Sequence, residues 1–158
     1  KGSYILLDVI KYFEKRDDVE FKLCGCTNEE FYKMSKKKFK NLNCLGFIDN
    51  VEEILKETDI FILPSFHEGL PYALMEAMFY GILCIGNNVP GINSLIKHNK
   101  SGILVDNNLS QEYINIIEKS LNQRDLLKKY KKNCLEVLKK FDRKKFLKEY
   151  SNFLNSLL

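Results

Sequence analysis

The chain has 158 residues, of which 45% are hydrophobic and 29% charged, which is enough apolar material for one packed core and too little chain for two. No run approaches the roughly 18 consecutive apolar residues of a membrane-spanning helix, and no segment has the pattern of a signal peptide. The five cysteines are odd in number and scattered, which disfavours a disulfide framework or a zinc site. We therefore expect one soluble, cytoplasmic domain, residues 1–158, with reduced thiols.

The net charge of +4 is unevenly distributed along the chain. Residues 124–148 include eleven basic and three acidic residues, so the remainder is net acidic. This segment lacks the glycine-rich loops of RNA-binding modules, and we expect a solvated helix face and no nucleic-acid partner. The apolar stripe from Phe146 to Leu158 is expected to pack against another part of the protein. Peripheral contact of both segments with an anionic membrane surface is the alternative.

Helical and strand patterns alternate through most of the sequence, which favours an α/β domain with a parallel sheet. The predicted elements of the first half are a helix over 2–15, a strand over 19–25, a helix over 29–38 capped by Asn28, a strand over 43–47, a helix over 51–57 and a strand over 59–64. The last of these is a continuous apolar run, which is typical of a parallel strand buried on both faces.

The second half begins with a predicted helix over 70–80 that opens on Pro71, whose missing N–H is harmless in a first turn. Strands over 82–86 and 102–105 follow, separated by a short helical piece over 92–98. Residues 107–158 then read as a helical tail without a strand signal.

Residues 63–81 hold the most informative pattern in the chain. A strand ends at Pro64-Ser65, Glu68 follows in the loop, and Glu76 lies on the next helix. Ligands of open parallel sheets bind beyond the carboxyl ends of the strands, which is where this loop is expected to lie. Each carboxylate can accept hydrogen bonds from two vicinal hydroxyl groups, so the pair can hold an elongated ligand that carries hydroxyls.

The start of the same helix predicts an anion site. Its unpaired N–H groups and helix dipole suit a phosphate or diphosphate, and the donors are those of Gly69, Leu70, Tyr72 and Ala73. The expected core stripe of the helix is Leu70, Leu74, Ala77 and Met78. Tyr72 and Glu76 then face solvent or a ligand.

This stretch resembles the donor-binding signature of the retaining, GT-B-fold glycosyltransferases of family four. In that family a strand ending Pro-Ser leads to Glu-Gly-x-Pro, then Glu-Ala, then a glycine; this chain matches with Pro64, Ser65, Glu68, Gly69, Pro71, Glu76, Ala77 and Gly81. Lys1-Gly2 is similar to the Lys-Gly that opens the first helix of the family's C-terminal domain, and the stretches 45–48 and 102–105 also match. The resemblance implies a Rossmann-like parallel sheet with helices on both faces, one half of a GT-B fold.

The resemblance also implies roles for individual residues and a nucleotide-diphosphate sugar, expected to be a UDP-sugar, as donor. Glu68 would contact the transferred sugar beside the reacting carbon, and Glu76 would hold the ribose hydroxyls. Gly69, Leu70 and Tyr72 would surround the diphosphate at the helix start, the Lys1 ammonium would neutralise it, and the backbone near Ile48 would meet the base. The fold needs no metal or other cofactor, and polysaccharide or glycolipid synthesis is the expected setting.

The sequence departs from the family pattern at several points. Ser94 stands where the family often has a glutamate. The strand with a diphosphate-binding arginine that precedes Lys-Gly in the family is absent from this sequence, as is the N-terminal acceptor domain. We therefore expect the isolated domain to bind donor weakly without transferring sugar. The alternatives are a non-catalytic scaffold or regulatory domain, and half of a nucleotide-sugar epimerase.

Two other residue types, histidine and cysteine, invite chemistry, and each has a plainer interpretation. His67 is interpreted as a variable loop histidine rather than an acid or base, and His98 is expected to be exposed. Cys24 and Cys26, which flank Gly25, are expected to be buried for structural reasons.

Overall fold

The computed structural model describes residues 2–138, and within them the order of helices and strands follows the prediction closely. The first half contains α1 (Ser3–Tyr12), extended by a 3-10 turn (Phe13–Lys15), β1 (Phe21–Cys24), α2 (Asn28–Ser35), β2 (Leu42–Gly46), α3 (Glu52–Lys56) and β3 (Ile60–Leu63). The second half contains α4 (Tyr72–Phe79), β4 (Leu83–Asn87), α5 (Ile92–Leu95), β5 (Ile103–Val105), α6 (Ser110–Asn122) and α7 (Arg124–Leu138). The stripe beyond Phe146 lies outside the described residues.

The strands form two parallel sheets, which confirms the α/β, Rossmann-like class. One sheet pairs β1 with β2, and the other has the order β3-β4-β5 with β4 in the middle. Within residues 2–138, β1 and β3 each pair on one side only. Parallel pairing brings the carboxyl ends of β3, β4 and β5 to one edge of their sheet.

β4 explains why helices cover both faces of the three-stranded sheet. All five of its residues are buried, and successive side chains enter different cores. Leu83 and Ile85 pack in a cluster with residues of α1 and α6, whereas Cys84 packs in a second cluster with residues of α4, α5 and α7. A strand buried on both faces needs apolar residues in both registers, as this sequence provides.

Two helix starts differ from the sequence prediction. Thr27, not Asn28, caps α2: its hydroxyl accepts from the Glu30 amide at 3.3 Å, and the Glu30 carboxylate accepts from the Thr27 amide at 2.7 Å. This capping box satisfies two amides at once, which a cap at Asn28 does not offer. Pro71 is the residue before α4 rather than part of its first turn, with an extended ψ of 97°.

No helix in the described part of the chain is both long and apolar enough to cross a membrane.

Candidate functional site

The start of α1 lies directly against the end of β3. Gly2 is buried, has a left-handed φ of 73°, and precedes the first residue of α1. A methyl group on Gly2 would lie 2.8 Å from the carbonyl carbon of Pro64 and would overlap the carbonyl oxygen. The neighbouring Lys1, predicted to neutralise a diphosphate, lies outside the described residues.

The end of β3 is also bound to the end of β4. The Asn87 side-chain amide donates to the carbonyl oxygens of Pro64 at 2.9 Å and Ser65 at 3.1 Å. The carboxamide oxygen of Asn87 accepts a hydrogen bond from the Tyr113 hydroxyl at 2.6 Å. Pro64, Ser65, Asn87 and Tyr113 are all buried, so the root of the Glu68 loop belongs to the core.

The loop between β3 and α4 has two further supports. The Phe66 ring stacks on Tyr4 of α1, with centroids 5.9 Å apart and planes inclined by 21°. Gly91 has a φ of 86°, and a methyl group there would overlap the carbonyl oxygens of Glu68 and Gly69. Only a glycine therefore fits at this position without displacing the loop.

A shallow cavity of about 340 Å³ opens where this loop meets the segment after β4. Its lining residues are His67, Glu68, Gly69 and Pro90. Glu68 is half-buried and His67 is exposed, as expected for a loop histidine. The cavity gives the Glu68 carboxylate a concave and partly polar setting that is open to solvent.

The amino-terminal end of α4 has unpaired donors beside this cavity. Leu74 and Met75 donate to the Pro71 carbonyl at 3.1 and 3.2 Å, and they begin the hydrogen bonding of the helix. Among the described residues, the amides of Leu70, Tyr72 and Ala73 make no hydrogen bond. No side chain caps the helix, and its first turn has no acidic residue. The end is therefore electropositive and suits an anion.

The predicted faces of α4 are confirmed except at one residue. Leu74, Ala77 and Met78 are fully buried, and Tyr72 is 72% exposed. Glu76 is exposed, as predicted for a residue outside the core stripe. Leu70 was expected in the core but is 43% exposed, because it precedes α4 and does not follow the helical periodicity.

Ile48 follows β2, which belongs to the two-stranded sheet. It is half-buried and lies two residues beyond the end of β2, next to Phe47, whose side chain is 90% exposed. The carboxyl ends of β1 and β2 are joined there, because the Gly25 amide donates to the Gly46 carbonyl at 2.6 Å. Ile48 thus follows a strand of one sheet, whereas Glu68 follows β3 of the other.

The cysteines and histidines form no metal site in the part of the chain that the structure describes. Cys24 is exposed and Cys26 is half-buried, so the expected burial of Cys24 is wrong: β1 is an edge strand that leaves its end accessible. His98 is exposed, as expected, although its Nδ1 accepts from the Leu104 amide at 3.1 Å.

Sequence reasoning missed Asn87 and Tyr113, which support the site from behind. An asparagine directly after an apolar strand is a signal for a polar contact at the sheet edge, but the sequence does not name its partners. Tyr113 lies in the predicted helical tail, and nothing in the local sequence indicates that its hydroxyl reaches Asn87.

Comparison with known proteins identifies the family of this chain. The family model for glycosyl transferases group 1 matches residues 1–137. The chain is 37% identical over 95 residues to the UDP-Gal:alpha-D-GlcNAc-diphosphoundecaprenol alpha-1,3-galactosyltransferase of Escherichia coli, a match covering 60% of this chain and 24% of that protein.

Solved structures share the fold. The Anabaena protein Alr3699/HepE in complex with UDP-glucose superimposes with a TM-score of 0.85 at 20% identity, covering 99% of this chain and 45% of that one. The C-terminal domain of a glycosyl transferase group 1 family protein (LpcC) from Francisella tularensis gives a TM-score of 0.71 at 21% identity, covering 89% of this chain and 78% of that one.

The chain therefore spans less than half the length of the E. coli and Anabaena proteins and most of the isolated domain. The matching residues include the Gly2 turn, the Glu68 loop and the start of α4. We conclude that this chain belongs to the glycosyl transferases group 1 family and forms one Rossmann-like half of a GT-B fold.

Proposed function

We propose that this chain is the donor-binding half of a retaining glycosyltransferase of family four and that it binds a UDP-sugar. The observation that carries the proposal is the uncapped start of α4, where free amides stand between Glu68 and Glu76. Peptide dipoles and unpaired amides at a helix start bind phosphate groups without a metal ion. We propose that the chain requires neither a metal ion nor another cofactor to bind the donor.

Each part of the donor has a proposed partner. Gly69 and the amides of Leu70 and Tyr72 surround the diphosphate, and Lys1 adds a positive charge. Glu76 accepts hydrogen bonds from the ribose hydroxyls, since its exposed carboxylate follows the amides along α4. The backbone near Ile48 meets the base.

Glu68 is the proposed catalytic residue. Its carboxylate stands at the cavity beside the diphosphate site and would accept hydrogen bonds from the transferred sugar next to the anomeric carbon. In the reaction the bond from the anomeric carbon to the diphosphate oxygen breaks and its electron pair leaves with the diphosphate. A bond to an acceptor hydroxyl oxygen forms on the same face, and the proton of that hydroxyl passes to the departing diphosphate. The start of α4 stabilises the negative charge that develops on the departing diphosphate.

The acceptor would be bound by another domain of the whole protein. Support comes from the E. coli and Anabaena proteins, which are more than twice as long as the regions that this chain matches. The E. coli relative acts on a lipid-linked sugar, by its name, which supports cytoplasmic glycolipid or polysaccharide synthesis near a membrane.

Calorimetric titration of the chain with UDP and UDP-glucose tests the donor site. Glu76→Ala should weaken UDP binding about tenfold, since it removes charge-assisted hydrogen bonds to two hydroxyls. Glu20→Ala is the control, because Glu20 is exposed and precedes β1, at the opposite edge from the strand ends. Absence of nucleotide binding, or equal effects of the two variants, would favour a scaffold domain.

A further inference from the structure

The Asn87 side chain has an unusually complete set of hydrogen bonds for a residue at a strand end. It is 0% exposed, its amide nitrogen donates to Pro64 and Ser65 at 2.9 and 3.1 Å, and its oxygen accepts from Tyr113 at 2.6 Å. A primary amide has two donor hydrogens and an acceptor oxygen, so both donors are used. The orientation of the carboxamide is therefore specified by all three partners.

Tyr113 connects this amide to the hydrophobic core. Its side chain is 0% exposed on α6, within the same buried cluster as Ile114 and Ile117. Burial raises the pKa of the Tyr113 hydroxyl above its ordinary value, which extends to higher pH the range in which it donates to Asn87. The donor to the Asn87 oxygen is thus a buried residue of α6.

The two carbonyls that Asn87 binds form the root of the Glu68 loop. Pro64 and Ser65 are buried, so without Asn87 these carbonyl oxygens would lose their partner away from bulk water. Further along the loop, the supports are the Tyr4 ring against Phe66 and the backbone contact of Gly91. Asn87 and the Gly2 backbone both contact Pro64, directly after β3, and Asn87 is the one that binds the loop root by side-chain hydrogen bonds.

We propose that Asn87 and Tyr113 are positioning residues for the donor site, which hold the Glu68 loop and the start of α4 in the geometry that binds the diphosphate sugar. Both residues are buried behind the loop and act through the Pro64 and Ser65 carbonyls, without contact to the ligand. This inference rests on the proposed donor-binding function.

The test compares two chemically identical changes, Tyr113→Phe and Tyr130→Phe. Tyr130 is 4% exposed and belongs to the same buried cluster, but it lies on α7 and has no part in the Asn87 hydrogen bonds. Tyr113→Phe should raise the Kd for UDP about threefold to tenfold, the value of one or two weakened hydrogen bonds. Tyr130→Phe should leave the Kd within about twofold of the parent value.

A second readout does not depend on the nucleotide. In hydrogen exchange of the free protein, the amides of Leu74 and Met75, which donate to the Pro71 carbonyl at the start of α4, should exchange faster in Tyr113→Phe than in Tyr130→Phe, measured relative to amides of β4 in the same sample. A general loss of stability would accelerate both regions together. A change restricted to Leu74 and Met75 therefore reports the position of the start of α4.

The outcomes separate the two proposals. If the parent protein binds UDP and the two variants match in Kd and in exchange at the start of α4, the positioning role is wrong and the donor site stands. If the parent protein binds no nucleotide, the proposed function fails, and the exchange data still decide whether Asn87 and Tyr113 hold the start of α4. Asn87→Leu should have a larger effect than Tyr113→Phe on both the Kd for UDP and the hydrogen exchange. If Asn87→Leu does not fold, the comparison of Tyr113→Phe with Tyr130→Phe decides the positioning role.

Discussion

Gly2 and Pro64 touch through their backbones, although they stand at the start of the first helix and the end of the third strand. The contact brings the position next to Lys1 to the root of the Glu68 loop. In the proposed donor site, the positive charge of Lys1 and the free amides at the start of α4 would come from the two segments that this contact joins.

Gly2→Ala should be strongly destabilising. Alanine in a left-handed conformation costs about 1–2 kcal/mol, and forcing a methyl group into the Pro64 carbonyl costs about 1–3 kcal/mol more. Urea unfolding of the two proteins measures the difference in free energy. Gly25→Ala is the matched control, because Gly25 has a similar φ of 77° with nothing within 4 Å of the added carbon. Equal losses in the two variants would contradict a specific contact with Pro64.

Gly91→Ala should weaken nucleotide binding by displacing the loop rather than by removing a ligand contact. The added methyl group overlaps the carbonyls of Glu68 and Gly69, so these residues must move. We expect the Kd for UDP to rise about tenfold or more, because misplacement of a binding loop by about 1 Å has effects of this size.

The control for this change is Gly102→Ala. Its methyl group would lie 2.6 Å from the Cys84 carbonyl, near the amino end of β4 and away from the Glu68 loop. This variant should lower the free energy of unfolding while UDP affinity, measured well below the melting temperature, stays near the parent value. Similar affinities for Gly91→Ala and Gly102→Ala would show that the loop tolerates the displacement.

The Tyr72 amide can be removed without breaking α4. Proline is well tolerated at the first position of a helix, and the preceding Pro71, with a ψ of 97°, already lies outside the helical region that a residue before proline avoids. Tyr72→Pro should raise the Kd for UDP about tenfold, since a charge-assisted hydrogen bond to phosphate is lost.

Tyr72→Ala separates the amide from the side chain, because it removes the exposed phenol and retains the N–H group. The difference between the two variants is the contribution of the amide. Circular dichroism checks that the helix content is unchanged. If Tyr72→Pro and Tyr72→Ala bind UDP equally well, the start of α4 is not the phosphate site.

The element order could be predicted because the local patterns are strong. The apolar run of β3 and the glycine after α4 mark their elements without reference to the rest of the chain. The starts of α2 and α4 were less predictable, because Thr27 and Asn28 are both good capping residues and the choice depends on the reach of Glu30.

The supports of the site could not be predicted, because they join residues that are distant in sequence. A pattern identifies Glu68 and Glu76 by their spacing around a helix start. It does not show that the Asn87 side chain donates to the Pro64 carbonyl, or that Gly91 contacts the backbone of the Glu68 loop. These contacts depend on how strands and helices pack, and the sequence specifies them only through the complete fold.

The Tyr113 hydroxyl also predicts an alkaline dependence of stability. Burial raises the pKa of Tyr113 above the ordinary value of 10.0, so the folded protein retains this proton more tightly than the unfolded chain. The hydroxyl's contribution to stability is therefore complete below pH 10.0 and is lost as pH rises toward the folded pKa. The Tyr113→Phe variant has no ionisable hydroxyl at this position. Its free energy of unfolding should therefore not show this contribution to the decline at high pH.

Urea unfolding at pH 8 and at pH above 10 measures the effect. At pH 8 the parent protein should be more stable than Tyr113→Phe by about 1 kcal/mol, because the hydrogen bond to Asn87 is intact. Above pH 10 this advantage should shrink. Cys134, whose pKa burial raises to about 11, titrates in both proteins and cancels in the comparison. A constant difference across this range would mean that the Tyr113 hydroxyl has similar surroundings in the folded and unfolded states.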